Sequence, residues 1–463
     1  MAALVALALL YAWLYGLPGG REAPSVERRF LTYPVIFALY FLALWLVYRR
    51  DRRAVAARRP DLILIIAGAA LLRLVILAGA PPMNPDLGRH LWEGKVLLAG
   101  FNPYVAPPDA EVYDELREQF AADVEDPEIA FWWKYHDIRS TYGPVATVLF
   151  AVPHLLPLDP YLCLRIIMTC FDFGTVLLLV GLAGALRRAG TLTIVYAWSP
   201  LCLNGFADRG QMDAPMVFLV VLAAWLVVRR RPLLAGVAFG AALLTKVSPL
   251  LLLLPLVQVA GLRLGATFAI TVAAGLAPFA GAGVEGLHGL AAFAERWRAN
   301  DSVHSLVLLG LSPLDAVVDT GRIARGLMAA AVLAYALWRS VRLDRSDPSA
   351  LVDALAHISA AAILLSPVVF PWYSAVMLAF LCFRPRASLL ALAVVPMLWY
   401  LKFLDPLPGS RWGILAAAER RHQIWRIPAY AVVAALFVRD AIVTRRGIPR
   451  PDGQLPPARG PGG

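Results

Sequence analysis

Apolar runs fill most of this 463-residue chain, and the polar stretches between them are short. Several runs approach the roughly 20 residues that a helix needs to cross a bilayer. Inside a bilayer a segment must satisfy its own backbone, and an isolated apolar run does so as a helix. Hydrophobic residues make up 60% of the chain and charged residues 16%, with a mean hydropathy of +0.66. The expected fold is therefore an all-α polytopic membrane protein with roughly 13–14 transmembrane helices. No polar stretch is long enough to bury a core of its own, so no separate soluble domain is expected.

Charge placement orients the helices. The net charge of +11 would suit nucleic acid, but the arginines sit in short loops, as positive-inside topology requires. Residues 49–60 hold six arginines and one aspartate and read as cytoplasmic. Helices at about 2–16, 30–48 and 61–80 then place residues 81–140 outside. That segment carries twelve of the 32 acidic residues against five Lys/Arg, the opposite bias. Later helices are expected at about 191–206, 214–228, 232–247, 248–260, 266–282, 322–338, 351–369, 374–383, 387–404 and 426–443. Between Tyr142 and Leu186 the count demands an odd number of crossings from two apolar runs. The first run, broken by Pro144, Pro153 and Pro157, reads as short or re-entrant.

The division expected is 1–60 (two helices and a basic loop), 61–445 (a transmembrane domain with loop 81–140) and 446–463 (a disordered cytoplasmic tail). The N-terminus lacks a basic n-region and reads as a first transmembrane helix. Cys163, Cys170, Cys202 and Cys382 lie in apolar runs and read as packing residues. The run 110–122, with Val112, Leu116 and Phe120, reads as an amphipathic helix, and Trp132, Trp133 and Tyr135 as an interfacial belt.

Residues 85–107 hold the densest chemistry. They read as a short helix with Asp86 as a candidate N-cap, Gly100 past its end, and Pro103 preventing continuation. Asp86, Arg89 and Glu93 fall in one sector at 100° per residue, with His90 beside them. Asp86 reads either as a cap or as a general base for a hydroxyl. Arg89 and Lys95 read as interfacial snorkelers or as phosphate ligands. Glu93 can orient Arg89. Tyr142, Arg209, Gln211, Asp213, Lys246, Arg298, Asp301, Trp372 and Tyr373 converge on the same side in this topology. Asp213 reads as a second N-cap or a site residue, and Lys246 opposes the positive-inside bias and so calls for an anion. Arg298 and Asp301 suit a structural network or ligand contact equally. His136, Asp137 and His304 lack metal-like spacing, and no phosphate-cradling glycine loop occurs.

The stretch D-L-G-R-H-L-W-E-G…G-F-N-P-Y-V-A-P from Asp86 resembles the first external loop of bacterial GT-C membrane glycosyltransferases. More narrowly it resembles the polyprenyl-phosphate-mannose-dependent mannosyltransferases, including the branch extending phosphatidylinositol mannosides. Downstream, D-I-R-S-T-Y-G-P-V (137–145), W-S-P-L-C-L-N-G-F-A-D-R-G-Q-M-D-A (198–214), K-V-S-P-L-L-L-L-L-P-L (246–256), N-D-S (300–302) and S-P-V-V-F-P-W-Y (366–373) are similar in order and spacing. The resemblance spans roughly residues 61–430. It implies a GT-C fold in the bacterial cytoplasmic membrane, with the active site on the external face. It implies transfer of a hexose, mannose above all, from a polyprenyl-phosphate donor to a lipid or glycan acceptor. Transfer would invert the anomeric carbon, with Asp86 as base and without a cofactor or divalent metal. A monomer is expected, with no nucleic-acid partner. The chain departs from the family where Gln211 and Phe370 replace histidines and Gly143 replaces a proline. A lipid-linked sugar translocator and a non-catalytic envelope-assembly subunit are the other classes such a chain could serve.

Overall fold

The computed structural model describes residues 1–17, 26–51, 59–79, 84–123, 136–403 and 413–445. Among them the chain is helical throughout, with no strand and a single isolated bridge between Ala299 and Val368. It is an all-α polytopic membrane protein. Five helices are long and apolar enough to cross a membrane, and eight shorter apolar helices accompany them. The tail 446–463 and Trp132, Trp133 and Tyr135 lie outside the described residues.

The chain opens with α1 (Ala2–Leu14), α2 (Val26–Asp51) and α3 (Arg59–Leu77). Next come α4 (Pro85–Leu98), a 3-10 turn at Glu111–Tyr113 and α5 (Asp114–Asp123). Asn84, not Asp86, caps α4: its side-chain oxygen accepts from the Asp86 N–H at 3.3 Å. The reason is Pro85 at the first helical position, which leaves Asn84 extended just outside the helix. The Asp86 carboxylate is thereby released from capping. Gly100, at φ +83, ends the helix as expected. Along the 3-10 turn and α5 the stripe is Tyr113, Leu116 and Phe120, all buried, while Val112 is exposed. The 3-10 turn rotates Val112 out, and Tyr113 and Phe120 meet Trp92 edge-on at 5.7 and 5.5 Å.

The run after Tyr142 is short: α6 (Pro144–Ala151) and a 3-10 turn at Val152–Leu155. Twelve helical residues of this kind cannot cover a hydrocarbon core. The long crossing helix is α7 (Pro160–Ala185). Two glycines seat α6. A Cβ on Gly94 would stand 2.1 Å from the Phe150 carbonyl oxygen, and one on Gly143 2.1 Å from the Leu244 carbonyl oxygen.

Residues 191–206 do not form the single helix expected. Pro200 interrupts them, giving short turns at Gly190–Thr193, Ile194–Ala197 and Pro200–Cys202 and a π-helical turn at Leu203–Asp208. Buried donors take the carbonyls that the break exposes. Arg73 donates to Ala197 O at 2.8 Å, Arg165 to Ala207 O at 3.1 Å and Tyr40 to Val195 O at 2.6 Å. Arg73 also pairs with Asp172 at 2.8 Å, both fully buried, which locks α3 to α7.

The bundle continues with α8 (Asp213–Val228), α9 (Pro232–Thr245), α10 (Leu253–Ala260) and α11 (Leu262–Leu276). The segment between the helices expected at about 266–282 and 322–338 holds α12 (His288–Arg296) and α13 (Val303–Leu311). Then follow α14 (Thr320–Val341), α15 (Pro348–Leu365), α16 (Ala375–Leu381), α17 (Ala387–Val394) and α18 (Gly413–Arg445). The core runs through α7, α8, α9, α15 and α16. Cys202 and Cys382 pack inside it and Cys163 is buried beside it on α7, but Cys170 on the same helix is exposed.

Gly94→Ala should lower the melting temperature of the detergent-solubilised protein, because overpacking costs about 1–3 kcal/mol. Gly310→Ala, which meets no atom within 4 Å, should not. Equal stability of the two variants would refute the close α4–α6 contact.

Candidate active site

Five chain segments meet at the end of the bundle where α4 lies. The break at 203–213 supplies Arg209, Gln211 and Asp213, because Gly210 adopts φ +60 and lets the chain turn back. Gln211 N–H then bonds to Gly205 O at 2.9 Å. A side chain at position 210 would strike Leu87 at 2.8 Å, which brings this turn against α4. The end of α9 supplies Lys246, the segment 138–142 supplies Ser140 and Tyr142, and the 3-10 turn Pro371–Ser374 supplies Trp372 and Tyr373.

Most of the charges are already committed. Arg89 Nε donates to Glu93 Oε1 at 2.8 Å and its Nη2 to Ile138 O at 2.6 Å. Ser140 Oγ donates to the other Glu93 oxygen at 2.6 Å. Lys246 Nζ donates to both Asp213 oxygens, at 3.0 and 2.8 Å, and stands 4.3 Å over the Tyr373 ring. Asp213 therefore does not cap α8 through its side chain: Lys246 occupies it. Asp208, fully buried, pairs with Arg29 at 2.6 Å and accepts from Asn204 at 2.9 Å.

Two groups stand apart. Asp86 is exposed; Gln211 Nε2 donates to its Oδ2 at 3.0 Å, and no cation pairs with it among the described residues. Arg209 pairs with no carboxylate among the described residues; its guanidinium lies 4.9 Å from the Tyr400 ring centre, and its buried Nε lacks a hydrogen-bond partner. The two are neighbours by chain contact. Asn84 donates to Arg209 O at 2.7 Å while its oxygen caps the helix that starts with Asp86. Tyr400 lies within electrostatic reach of both.

Tyr142 joins the halves of the site. Desolvation pushes its hydroxyl well above the ordinary range, and the charges of Asp86 and Asp213 add to the effect. His90, 1% exposed, stacks on Phe150 at 4.3 Å and meets Tyr142 edge-on at 4.9 Å. Neither ring nitrogen has a partner among the described residues. Burial drives its pKa down to about 3, with Lys246 and Arg89 assisting.

Three of the expected residues fall elsewhere. Lys95 lies nine residues from Asp86 on α4, which places it on the opposite helix face about 13 Å along the axis. Arg298 and Asp301 form a separate network. Arg298 Nε donates to Asp301 Oδ2 at 2.8 Å, His304 contacts that oxygen at 2.9 Å and Arg426 donates to Oδ1 at 2.7 Å. Asn300, at φ +53, ties this network to Val369 O at 2.9 Å, just before the Tyr373 turn. Sequence reasoning missed Arg29, Asn204, Ser140 and Tyr400 as supports. Asn204 and Asp208 did carry a signal, since polar residues inside an apolar run are costly without partners. Among the described residues no three His, Cys, Asp or Glu side chains gather to hold a metal ion.

Residues 141–371 match the family model of glycosyltransferase family 87, which is a GT-C-type membrane family. The match supports a membrane glycosyltransferase of the GT-C type. It covers Tyr142, Arg209, Gln211, Asp213 and Lys246, and begins after the Asp86 stretch. No curated protein and no solved structure matches the chain.

His90 sets an acid limit on stability. Its folded pKa, about 3, lies below the ordinary 6.5, so the unfolded chain takes up a proton that the native state refuses. Stability on the order of a few kcal/mol should be lost as pH falls from about 6.5 toward 3, and none should change above that window. His90→Asn should flatten the fall in melting temperature between pH 6.5 and 4.5. A slope identical to that of the unaltered protein would contradict the neutral, buried imidazole.

Proposed function

We propose that this chain transfers a hexose, mannose in the first instance, from a polyprenyl-phosphate donor to a lipid or glycan acceptor. The site would face the exterior of a bacterial cytoplasmic membrane, as the acidic bias of 81–140 favours. The observation that carries the reading is a carboxylate that no cation holds beside a guanidinium that no carboxylate holds, among the described residues. Among the described residues Glu93, Asp213, Asp208 and Asp301 each hold a cation, and Asp86 does not. Among the same residues Arg89, Lys246, Arg29 and Arg298 each hold a carboxylate, and Arg209 does not.

Asp86 is the base in this scheme. Gln211 holds one carboxylate oxygen, which leaves the other to accept the proton of an acceptor hydroxyl as its oxygen attacks the anomeric carbon. The bond from that carbon to the phosphate oxygen breaks, and polyprenyl phosphate leaves with the bonding pair. Arg209 receives the phosphate, because a guanidinium offers two parallel donors to phosphate oxygens. Stabilising the departing phosphate in a site of low dielectric supplies much of the rate. Attack from the face opposite the phosphate inverts the anomeric centre. Lys246, which Asp213 holds and which stands over the Tyr373 ring, is a second cation that the phosphate would meet if Asp213 yielded its grip. Arg89 is oriented by Glu93 and is a positioning group. Gln211, where the resembling family has histidine, is neutral at every pH and so bears on acceptor choice through hydrogen bonding alone.

The test is incubation of the purified protein with polyprenyl-phosphate-mannose and membrane lipids, with products analysed by mass spectrometry. Asp86→Asn should lower turnover about 10²–10⁴-fold with folding intact, and Arg209→Gln should raise the KM for the donor. Retention of full activity by Asp86→Asn would sink the base assignment and favour a translocator. Absence of transfer from any lipid-linked hexose would favour a non-catalytic subunit.

A further inference from the structure

A cleft of about 320 Å³ lies where α3 begins, one helix length from the candidate active site at α4. Its walls come from the first turn of α1, the last turns of α2, the first turns of α3 and the interrupted segment 191–198. Ala3, Ala43, Leu46, Leu64, Ile194 and Trp198 line it, and the two alanines leave the room. One wall is pinned. Trp198 donates its indole N–H to Ile65 O at 2.9 Å, and a Cβ on Gly68 would stand 2.7 Å from the Trp198 ring. The indole is thus held between α3 and the break, and the cleft is preformed.

Its size is at the lower end of the range for small-molecule sites, and the walls select the occupant. It has room for roughly ten waters, each of which needs polar partners of its own. Among the described residues Arg50 and Asp61 are the two charged side chains on the lining, and most of the others are apolar. An alkyl chain suits such walls better than water does. The mouth then selects the head. Arg50 is 70% exposed, and its Nη1 donates to Asp61 Oδ1 at 3.3 Å. That exposed pair is weak and leaves most of the guanidinium N–H donors open. Residues 49–61, which join α2 to α3, carry six arginines against two aspartates. Positive-inside topology sets this end in the cytoplasmic leaflet. An apolar cleft under a basic mouth matches an anionic phospholipid, with a chain between the helices and the phosphate on Arg50.

We propose that this cleft binds an acyl chain of an anionic phospholipid whose phosphate is held by Arg50. The site is separate from the transfer chemistry at α4 and does not depend on it.

The experiment is lipid retention by the full-length protein in detergent, read by native mass spectrometry. Phosphatidylglycerol and phosphatidylcholine of equal chain length are compared, with glycerol phosphate as a chainless competitor. The unaltered protein should retain phosphatidylglycerol about fivefold over phosphatidylcholine, the worth of one arginine beside an anionic head. Glycerol phosphate should not displace it. Arg50→Gln should bring the two lipids level while both are still retained. Ala43→Leu, which fills the cleft, should lower retention of both lipids severalfold without lowering the melting temperature. Should that variant fail to fold, Ala3→Leu narrows the same space from α1 and gives the same reading. A belt of lipid held without selection predicts equal retention of the two lipids and no effect of any variant, and that result would overturn the proposal. Displacement by glycerol phosphate would overturn the role of the chain, and a preference that survives Arg50→Gln would overturn the role of Arg50.

Discussion

Buried side-chain donors at the break in residues 190–213 hold this structure together. An interrupted helix inside an apolar bundle exposes carbonyls that no water can reach, each costing several kcal/mol if left bare. Arg73, Arg165 and Tyr40 satisfy three of them from three different helices. Trp198 closes the accounting in the other direction, donating its indole N–H to Ile65 O at 2.9 Å. These contacts are also what aims the break. They fix the π turn, and the π turn delivers Arg209, Gln211 and Asp213 to the base of α4.

Charge pairing then sorts the site. A buried charge without a partner is expensive, so most of the ionisable groups have found one. The pairs Arg29–Asp208 and Lys246–Asp213 each join segments remote in sequence and act as clamps. Against that background an uncommitted carboxylate at the rim and an uncommitted guanidinium beside it are informative. The residue before each is engaged in structure, Pro85 opening α4 and Asp208 gripping Arg29. The scaffold around Asp86 and Arg209 is thus rigid while their own charged ends stay available.

The helical membrane fold was readable because hydropathy reports on burial in lipid directly. The short run at 144–155 and the α4 boundary at Gly100 were readable from proline and glycine. Capping was misjudged: Asn84 and Asp86 are both good caps, and only the exact entry of the chain at Pro85 chooses between them. The break at 191–208 looked like one helix because its residues are apolar, and a single proline does not announce how the chain will re-form after it. Convergence of Asp86, Gln211, Lys246 and Tyr373 followed from topology alone. Arg298 and Asp301 followed the same topology and formed a network of their own, since side-chain partnership at a shared end depends on a few ångströms that hydropathy does not encode.

The π turn has a consequence for how such a chain could change. It holds one residue more than the α register would need, so its aim depends on length before identity. Deleting one residue between Leu203 and Asp208 would let ordinary winding resume in nearly the same direction, whereas inserting one more, with no further wide turn to absorb it, would swing everything that follows by about 100°. Arg209 and Gln211 would then point away from α4 with every side chain of the site still present. Homologues that keep all the charged letters but are longer by one position in this span would share the alphabet of the site and not its grammar.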